Sequence, residues 1–337
     1  MRICICGGGN LGHVVAGFLA SQSDNQVSVL TRRPENWANI LEVIDPDGKV
    51  YNGSIYPTDN VSQAIADADM VFICLPGFAI HDELVKISPY LKSDAKVGTV
   101  VSSTGFFFEA FKVLPNHIGL FGFQRVPFIC RTIEYGHKAE LKGYKSSLSM
   151  AVEQVDDKEA LRIMIENLFK TPIKLLRSYY EVSLSNSNPL LHTSRLYTMF
   201  KNWEEGVVYD RNPQFYSEWT IDASELYIQM DNELQELLKV LPVDKGSIPP
   251  VLEYYESHDA ESLTDKLNTI PAFKGIYSPM KKVEGGYVPD FNSRYFTEDI
   301  PYGMRFIIET AEKYQISIPT IDKVYKWGLS KIESSSK

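Results

Sequence analysis

A short apolar strand runs straight into a glycine-rich turn at the start of the chain. Arg2-Ile3-Cys4-Ile5-Cys6 is followed without a linker by Gly7-Gly8-Gly9-Asn10-Leu11-Gly12. Gly7, Gly9 and Gly12 have the G-x-G-x-x-G spacing: the first glycine makes the tight turn, the second lets backbone approach a pyrophosphate, and the third lets a helix pack close to the strand. The helix beginning near Leu11 would offer its unpaired N–H groups and dipole to negative charge. Such spacing is weak alone and informative between a strand and a helix, and it predicts a dinucleotide site in a Rossmann half.

The end of the second strand bears on which dinucleotide. Gln26-Val27-Ser28-Val29-Leu30 lies roughly 20 residues after the glycines, where an acid would hold the ribose 2′-hydroxyl of NAD. The chain instead reads Thr31-Arg32-Arg33-Pro34. A guanidinium suits bidentate contact with a 2′-phosphate, so NADP is the expected cofactor, with Arg32 preferred over Arg33 and NAD as the alternative. Two solvated loop arginines would explain the same letters.

With 337 residues and 44% hydrophobic content, the chain can bury a large core and suits about two domains. A net charge of −9 argues against nucleic acid, so an anionic ligand needs a local cationic cluster or a helix terminus. Cys4, Cys6, Cys74 and Cys130 have neither disulfide-framework nor metal-ligand spacing, and no metal is expected. With a strand beginning at Arg2 and no apolar run near the ~20 residues of a membrane span, the expectation is a soluble, cytoplasmic protein without signal peptide or membrane partner.

Along the first half, strand-like runs alternate with helical ones as in a doubly wound parallel sheet. A longer polar stretch containing Pro46, Gly48 and Gly53 follows, then a short helix near residues 61–67. Met70-Val71-Phe72-Ile73-Cys74 is a buried strand ending at Leu75-Pro76-Gly77, at the carboxyl end of a strand where ligands of such folds bind. Further strands are expected over residues 96–101 and 118–123, an antiparallel segment over 144–152, a helix over 158–169 and a last strand over 173–176. From Leu184 the periodicity is helical, with long helices expected over 189–205, 214–240, 300–314 and 321–330. This gives α/β class: a Rossmann domain over 1–180, then a mostly helical domain over 181–337, packed around an active cleft. The tail from Ser334 to Lys337 is expected to fray.

An acid/base group must come from six histidines. His192 stands out in Asn188-Pro189-Leu190-Leu191-His192, where Asn188 and His192 at i, i+4 share a helix face and Pro189 suits a first helical position. The amide can steer substrate while the imidazole transfers a proton near neutral pH; a partly exposed helix histidine is the commoner occupant of such a position. His13 and His258 are expected to be replaceable. A second cluster, residues 292–303, holds Arg294, able to clamp a carboxylate, and Asp299, able to orient an imidazole. Asp299 as a helix cap and Arg294 as its solvated neighbour fit the same letters, and spacing cannot show that either meets His192.

Together these segments are recognisable. The whole chain resembles the opine dehydrogenase family, of octopine/nopaline dehydrogenase type, through residues 7–12 (GGGNLG), 75–79 (LPGFA), 124–131 (QRVPFICR), 188–192 (NPLLH) and 294–303 (RYFTEDIPYG). The last two are the specific ones. The resemblance implies a Rossmann domain before a helical one, a catalytic histidine in an Asn-x-x-x-His helix motif, and an Arg and an Asp five residues apart completing the site. These match His192, Arg294 and Asp299. The Thr31-Arg32-Arg33 segment departs from members that use NAD.

The implied reaction is NAD(P)H-dependent reductive condensation of a 2-oxo acid with an amino acid or amine, and its reverse. Gly7, Gly9, Asn10, Leu11, Gly12, Thr31, Arg32, Arg33, Leu75 and Pro76 are expected at the cofactor, and Asn188, Arg294 and Arg131 at substrate. The partners expected are these small molecules, with a homodimer compatible. Two alternatives stay open: a ketopantoate-reductase-like 2-oxo acid reductase that needs no amine, and a non-catalytic NADP-binding protein.

Overall fold

The computed structural model describes residues 1–335. Two compact units emerge, Met1–Ser185 and Asn186–Lys337. The first contains, in order, β1 (Arg2–Cys6), α1 (Asn10–Ala20), β2 (Gln26–Leu30), β3 (Ile40–Ile44), β4 (Val50–Thr58), α2 (Val61–Ile65), β5 (Met70–Ile73), α3 (Gly77–Ile87), β6 (Lys96–Thr99), α4 (Phe106–Val113), β7 (Gly119–Phe123), β8 (Phe128–Glu134), β9 (Lys138–Tyr144), β10 (Leu148–Glu153), α5 (Lys158–Phe169), β11 (Ile173–Leu175) and α6 (Tyr179–Leu184). One sheet of order β11-β10-β7-β6-β5-β1-β2-β4-β3-β9-β8 joins all the strands. Its middle, β7-β6-β5-β1-β2-β4, is parallel. Central strands such as β5, buried at every residue, carry continuous apolar runs because helices cover both faces.

Two stretches differ from the expectation. The polar stretch before α2, for which no strand is expected, is the antiparallel hairpin β3–β4. Its turn is set by Asp45, whose Oδ1 accepts from the backbone N–H groups of Asp47 and Lys49, and by Gly48 at φ +80. A Cβ on Gly53 would lie 2.5 Å from the Gly17 carbonyl oxygen, so glycine here permits close packing of β4 on α1. The second is β8–β9, another antiparallel hairpin, which joins the sheet through β9 against β3. Its edge exposes one face, so it lacks the apolar runs of the interior strands.

The second unit contains α7 (Asn188–Phe200), α8 (Ile221–Leu238), α9 (Val251–Tyr254), α10 (Ala260–Thr269), a small hairpin of β12 (Met280–Val283) and β13 (Gly286–Pro289), α11 (Arg294–Thr297), α12 (Arg305–Tyr314) and α13 (Pro319–Ser335). A helix expected from residue 214 starts only at Ile221. The buried Arg195 guanidinium donates to the Glu218 carbonyl (2.5 Å) and to Thr220 Oγ1 (2.8 Å), holding that segment in a turn. The helix expected from residue 300 likewise opens with a π-helical turn, Ile300–Met304, closed by Met304 N–H donating to the Asp299 carbonyl at 2.8 Å. For the expected fraying, α13 continues through Ser334 and Ser335, whereas Ser336 and Lys337 lie outside the described residues.

Candidate active site

In the first unit the glycine turn is shaped as phosphate binding requires. Gly7 sits at φ +121, and a Cβ there would meet the Cys74 carbonyl oxygen at 2.6 Å and Leu75 Cδ2 at 3.0 Å. A Cβ on Gly12 would lie 1.9 Å from the Gly7 carbonyl oxygen, so no other residue fits. Gly9 is the opposite case: a Cβ would meet nothing within 4 Å, and Gly9 caps α1 without a side-chain hydrogen bond. The start of α1 therefore has room at Gly9 and no side chain capping its first amides, a cradle suited to a pyrophosphate. Leu75 and the α3 cap Pro76 sit at the same end of the sheet as this turn. Thr31 is buried at the end of β2 and donates its backbone N–H to the Thr58 carbonyl, while Arg32 and Arg33 are exposed. Among the described residues neither guanidinium makes a hydrogen bond or ion pair within the chain.

Asn10 and His13 tie the turn to the β8–β9 hairpin. Asn10 Oδ1 accepts from Thr132 N–H (2.9 Å), which commits the amide oxygen to the protein. His13, fully buried, bridges Gly9 and Gly136: Nε2 accepts the Gly136 N–H at 2.7 Å and Nδ1–H donates to the Gly9 carbonyl at 2.9 Å, while the ring stacks 4.3 Å from Trp37. Burial pushes its imidazole below the ordinary value, and both nitrogens are used in one neutral tautomer. The expectation that His13 is replaceable is therefore corrected: it holds the glycine turn. Burial also pushes up the Cys74 thiol, and raises that of Cys130 to about 12, which makes them packing groups at neutral pH. Arg131 is exposed on β8 opposite Glu140. The described residues contain no cluster of His, Cys, Asp or Glu able to hold a metal ion.

In the second unit, α7 carries His192 one turn beyond its start, where Ser187 rather than Asn188 is the cap and Asn188 is exposed. Gly303 in the π-helical turn approaches α7 so closely that a Cβ would lie 2.5 Å from Pro189 Cγ. That approach presents Asp299, at the head of the turn, to the imidazole. His192 Nδ1 and Asp299 Oδ2 are 2.7 Å apart, with the side chains only 10% and 16% exposed. The ionised carboxylate fixes Nδ1 as the protonated nitrogen and leaves Nε2 to exchange a proton.

Nε2 does not point into open space, as its expected role toward substrate required. It lies 2.7 Å from the Tyr216 hydroxyl, and Tyr295 packs edge-on against the imidazole at 4.6 Å. Burial pushes both phenols up from the ordinary value. Neither tyrosine was singled out from the sequence, although Phe215-Tyr216 and Trp219 form a dense aromatic run and Tyr295 adjoins Arg294. Arg294 itself departs from expectation. Its side chain is 84% exposed, its Nε is 3.6 Å from Glu298 Oε1, and among the described residues no hydrogen bond or ion pair links it to His192 or Asp299. It starts α11, and a single helical turn separates it from Asp299 without pointing its side chain the same way.

Residues 175–331 match the family described as NAD/NADP octopine/nopaline dehydrogenase, alpha-helical domain, and residues 3–105 match ketopantoate reductase PanE/ApbA. An uncharacterized protein y4xO of Sinorhizobium fredii is 30% identical over 97% of this chain and 94% of its own length. Octopine dehydrogenase of Pecten maximus is 28% identical over 98% of this chain and 90% of its own. A solved structure of octopine dehydrogenase with NADH and L-arginine superposes with a TM-score of 0.84 at 28% identity, covering 99% of this chain and 90% of the other.

The chain belongs to the opine dehydrogenase family. It is an NAD(P)-dependent oxidoreductase acting on CH–NH donors. The ketopantoate reductase match is confined to the dinucleotide-binding half, which the two classes share.

For this chain the cofactor preference is open to direct measurement. With no acid at the end of β2 and Arg32 exposed beside Thr31, NADPH is expected to bind more tightly than NADH. A charge-assisted guanidinium–phosphate contact contributes about 1.5–3 kcal/mol, a preference of roughly tenfold or more. Titrating both cofactors against wild type and Arg32→Ala should show the preference collapse in the variant; an unchanged NADPH/NADH ratio removes Arg32 from the role.

Proposed function

We propose that this enzyme condenses a 2-oxo acid with the amino group of an amino acid or amine, reduces the product to a secondary amine, a dicarboxylate when the amino partner is an amino acid, and catalyses the reverse oxidation. The observation that carries the reading is the His192–Asp299 pair, a proton-transfer group held in one tautomer and largely shielded from water. NAD(P)H, when bound, supplies the hydride. The cradle at Gly9 and the first amides of α1 would hold its pyrophosphate, with Thr31 and Arg32 at the ribose.

The residues account for the remaining steps. Addition of the amine to the keto carbon gives a carbinolamine. A proton originating on His192 converts its hydroxyl to water, the C–O bond breaks with its electron pair leaving on oxygen, and the resulting iminium carbon accepts hydride. Asp299 offsets the positive charge His192 carries before transfer and prevents the ring from flipping. The exposed Arg294 guanidinium would take a substrate carboxylate, with Asn188 as a further polar contact. Relatives solved with NADH and either L-arginine or pyruvate support an amino acid and a 2-oxo acid as the substrate classes. The four free thiols support a cytoplasmic reading.

A matrix of 2-oxo acids against amino acids and amines, followed by NADPH and NADH consumption, tests this. Turnover should require both substrates. Equal consumption without amine would make the protein a 2-oxo acid reductase, and cofactor binding with no turnover across the matrix would make it a binding protein. In the same assay Arg294→Ala should raise the KM for the oxo acid about tenfold, the loss expected for one charge-assisted contact. An unchanged KM withdraws Arg294 as the clamp.

A further inference from the structure

Both nitrogens of His192 are engaged: Nδ1 by Asp299 and Nε2 by the Tyr216 hydroxyl, each at 2.7 Å. A proton leaving Nε2 must therefore pass through that hydroxyl or wait for it to move. Tyr216 is built not to move. Its ring stacks on Phe273 at 4.1 Å and 17°, and lies parallel to Trp219 within 7°. Behind it, the Tyr216 carbonyl accepts the Trp219 N–H, which is also directed at Asn268 Oδ1. Arg195, one turn along α7 from His192, clamps the Glu218 carbonyl and Thr220 Oγ1. Imidazole and phenol are thus held in register by the same helix.

Resting on the reading of His192 as the proton source, we propose that Tyr216 is the residue that hands the proton to substrate, as a catalytic relay between Nε2 and the reacting oxygen. When His192 is charged, Nε2–H donates to the Tyr216 oxygen and leaves the phenolic O–H to be given elsewhere. In the complex the carbinolamine oxygen accepts it. As the Tyr216 O–H bond breaks toward substrate, the Tyr216 oxygen takes the Nε2 proton. The imidazolium becomes imidazole, the phenol ends unchanged, the substrate gains one proton, and no electrons are exchanged. Burial disfavours a free tyrosinate here, which suits a hydroxyl that exchanges both protons together rather than ionising first.

Tyr216→Phe keeps the stacked ring and removes only the hydroxyl. Its kcat is expected to fall about 10²-fold or more, with NAD(P)H affinity and thermal midpoint near those of wild type. Single-turnover rates of wild type in H₂O/D₂O mixtures should curve as two protons in flight demand. A hydroxyl that merely plugs Nε2 and swings aside would give the reverse: Tyr216→Phe with kcat unchanged or raised, and a linear isotope dependence in the wild type. His192→Gln run alongside separates the two proposals. Loss of turnover in His192→Gln with a fully active Tyr216→Phe overturns the relay alone, whereas an active His192→Gln overturns the proton source itself.

Discussion

Replacing His192 by alanine should lower turnover about 10²–10⁴-fold while NAD(P)H binds as before. That is the usual range for losing a positioned acid or base, and at ~1.4 kcal/mol per tenfold it corresponds to roughly 3–5.5 kcal/mol of transition-state stabilisation. The effect should fall on kcat because the imidazole is buried against Tyr216, Tyr295 and Asp299 in the helical unit, whereas the dinucleotide cradle is formed by the glycine turn of the other. Alanine also leaves a void among aromatic rings, so His192→Gln, which retains most of the volume, distinguishes lost chemistry from lost packing. His258, with its side chain 83% exposed, is the matched control and should tolerate alanine. Steady-state rates at saturating substrates, a cofactor fluorescence titration and a melting curve together test the claim. A fully active alanine variant would falsify the assignment.

The second large effect is expected at Asp299. Asp299→Asn preserves size but removes the charge that faces Nδ1, and its amide can turn an N–H toward the ring and favour the wrong tautomer. The corresponding change in the Ser-His-Asp triad lowers kcat ~10⁴-fold, although geometry is retained. Here Tyr216 also grips the imidazole through Nε2, so part of the orientation survives and a loss of about 10²-fold or more is expected. The variant should fold normally, since the π-helical turn is closed by the Asp299 backbone carbonyl rather than its carboxylate. Were Asp299 only a helix cap, Asp299→Asn would change the melting temperature and leave turnover intact. The observed partner of its carboxylate is the imidazole, and no side-chain cap bond forms at the head of that turn.

Local signals carried much of the fold. The glycine turn could be read from residues 1–12 alone, because Gly7 takes a positive φ of +121 and a Cβ on Gly12 would strike the Gly7 carbonyl oxygen, both within the strand–turn–helix unit. Interior strands such as β1 and β5 announced themselves by continuous apolar runs, and α5 spans the helix expected over residues 158–169. The β3–β4 hairpin escaped because its Asp45-Pro46-Asp47-Gly48 turn reads as a polar stretch unless the strands on either side are already seen. The break before α8 could not be foreseen either: it depends on a guanidinium supplied by α7.

By itself the sequence determined a strand followed by a phosphate-shaped turn, a basic rather than acidic end to β2, a helical second half, and a histidine and an aspartate whose family resemblance suggested a shared role. Only tertiary structure decided that His192 and Asp299, 107 residues apart, meet at 2.7 Å, that Tyr216 occupies the remaining nitrogen, and that Arg294 faces solvent. The physical reason is range. Backbone sterics and hydrophobic periodicity act over a few residues and leave a record in order and spacing, whereas a hydrogen bond between side chains on α7 and a π-helical turn depends on how closely Gly303 lets those elements approach.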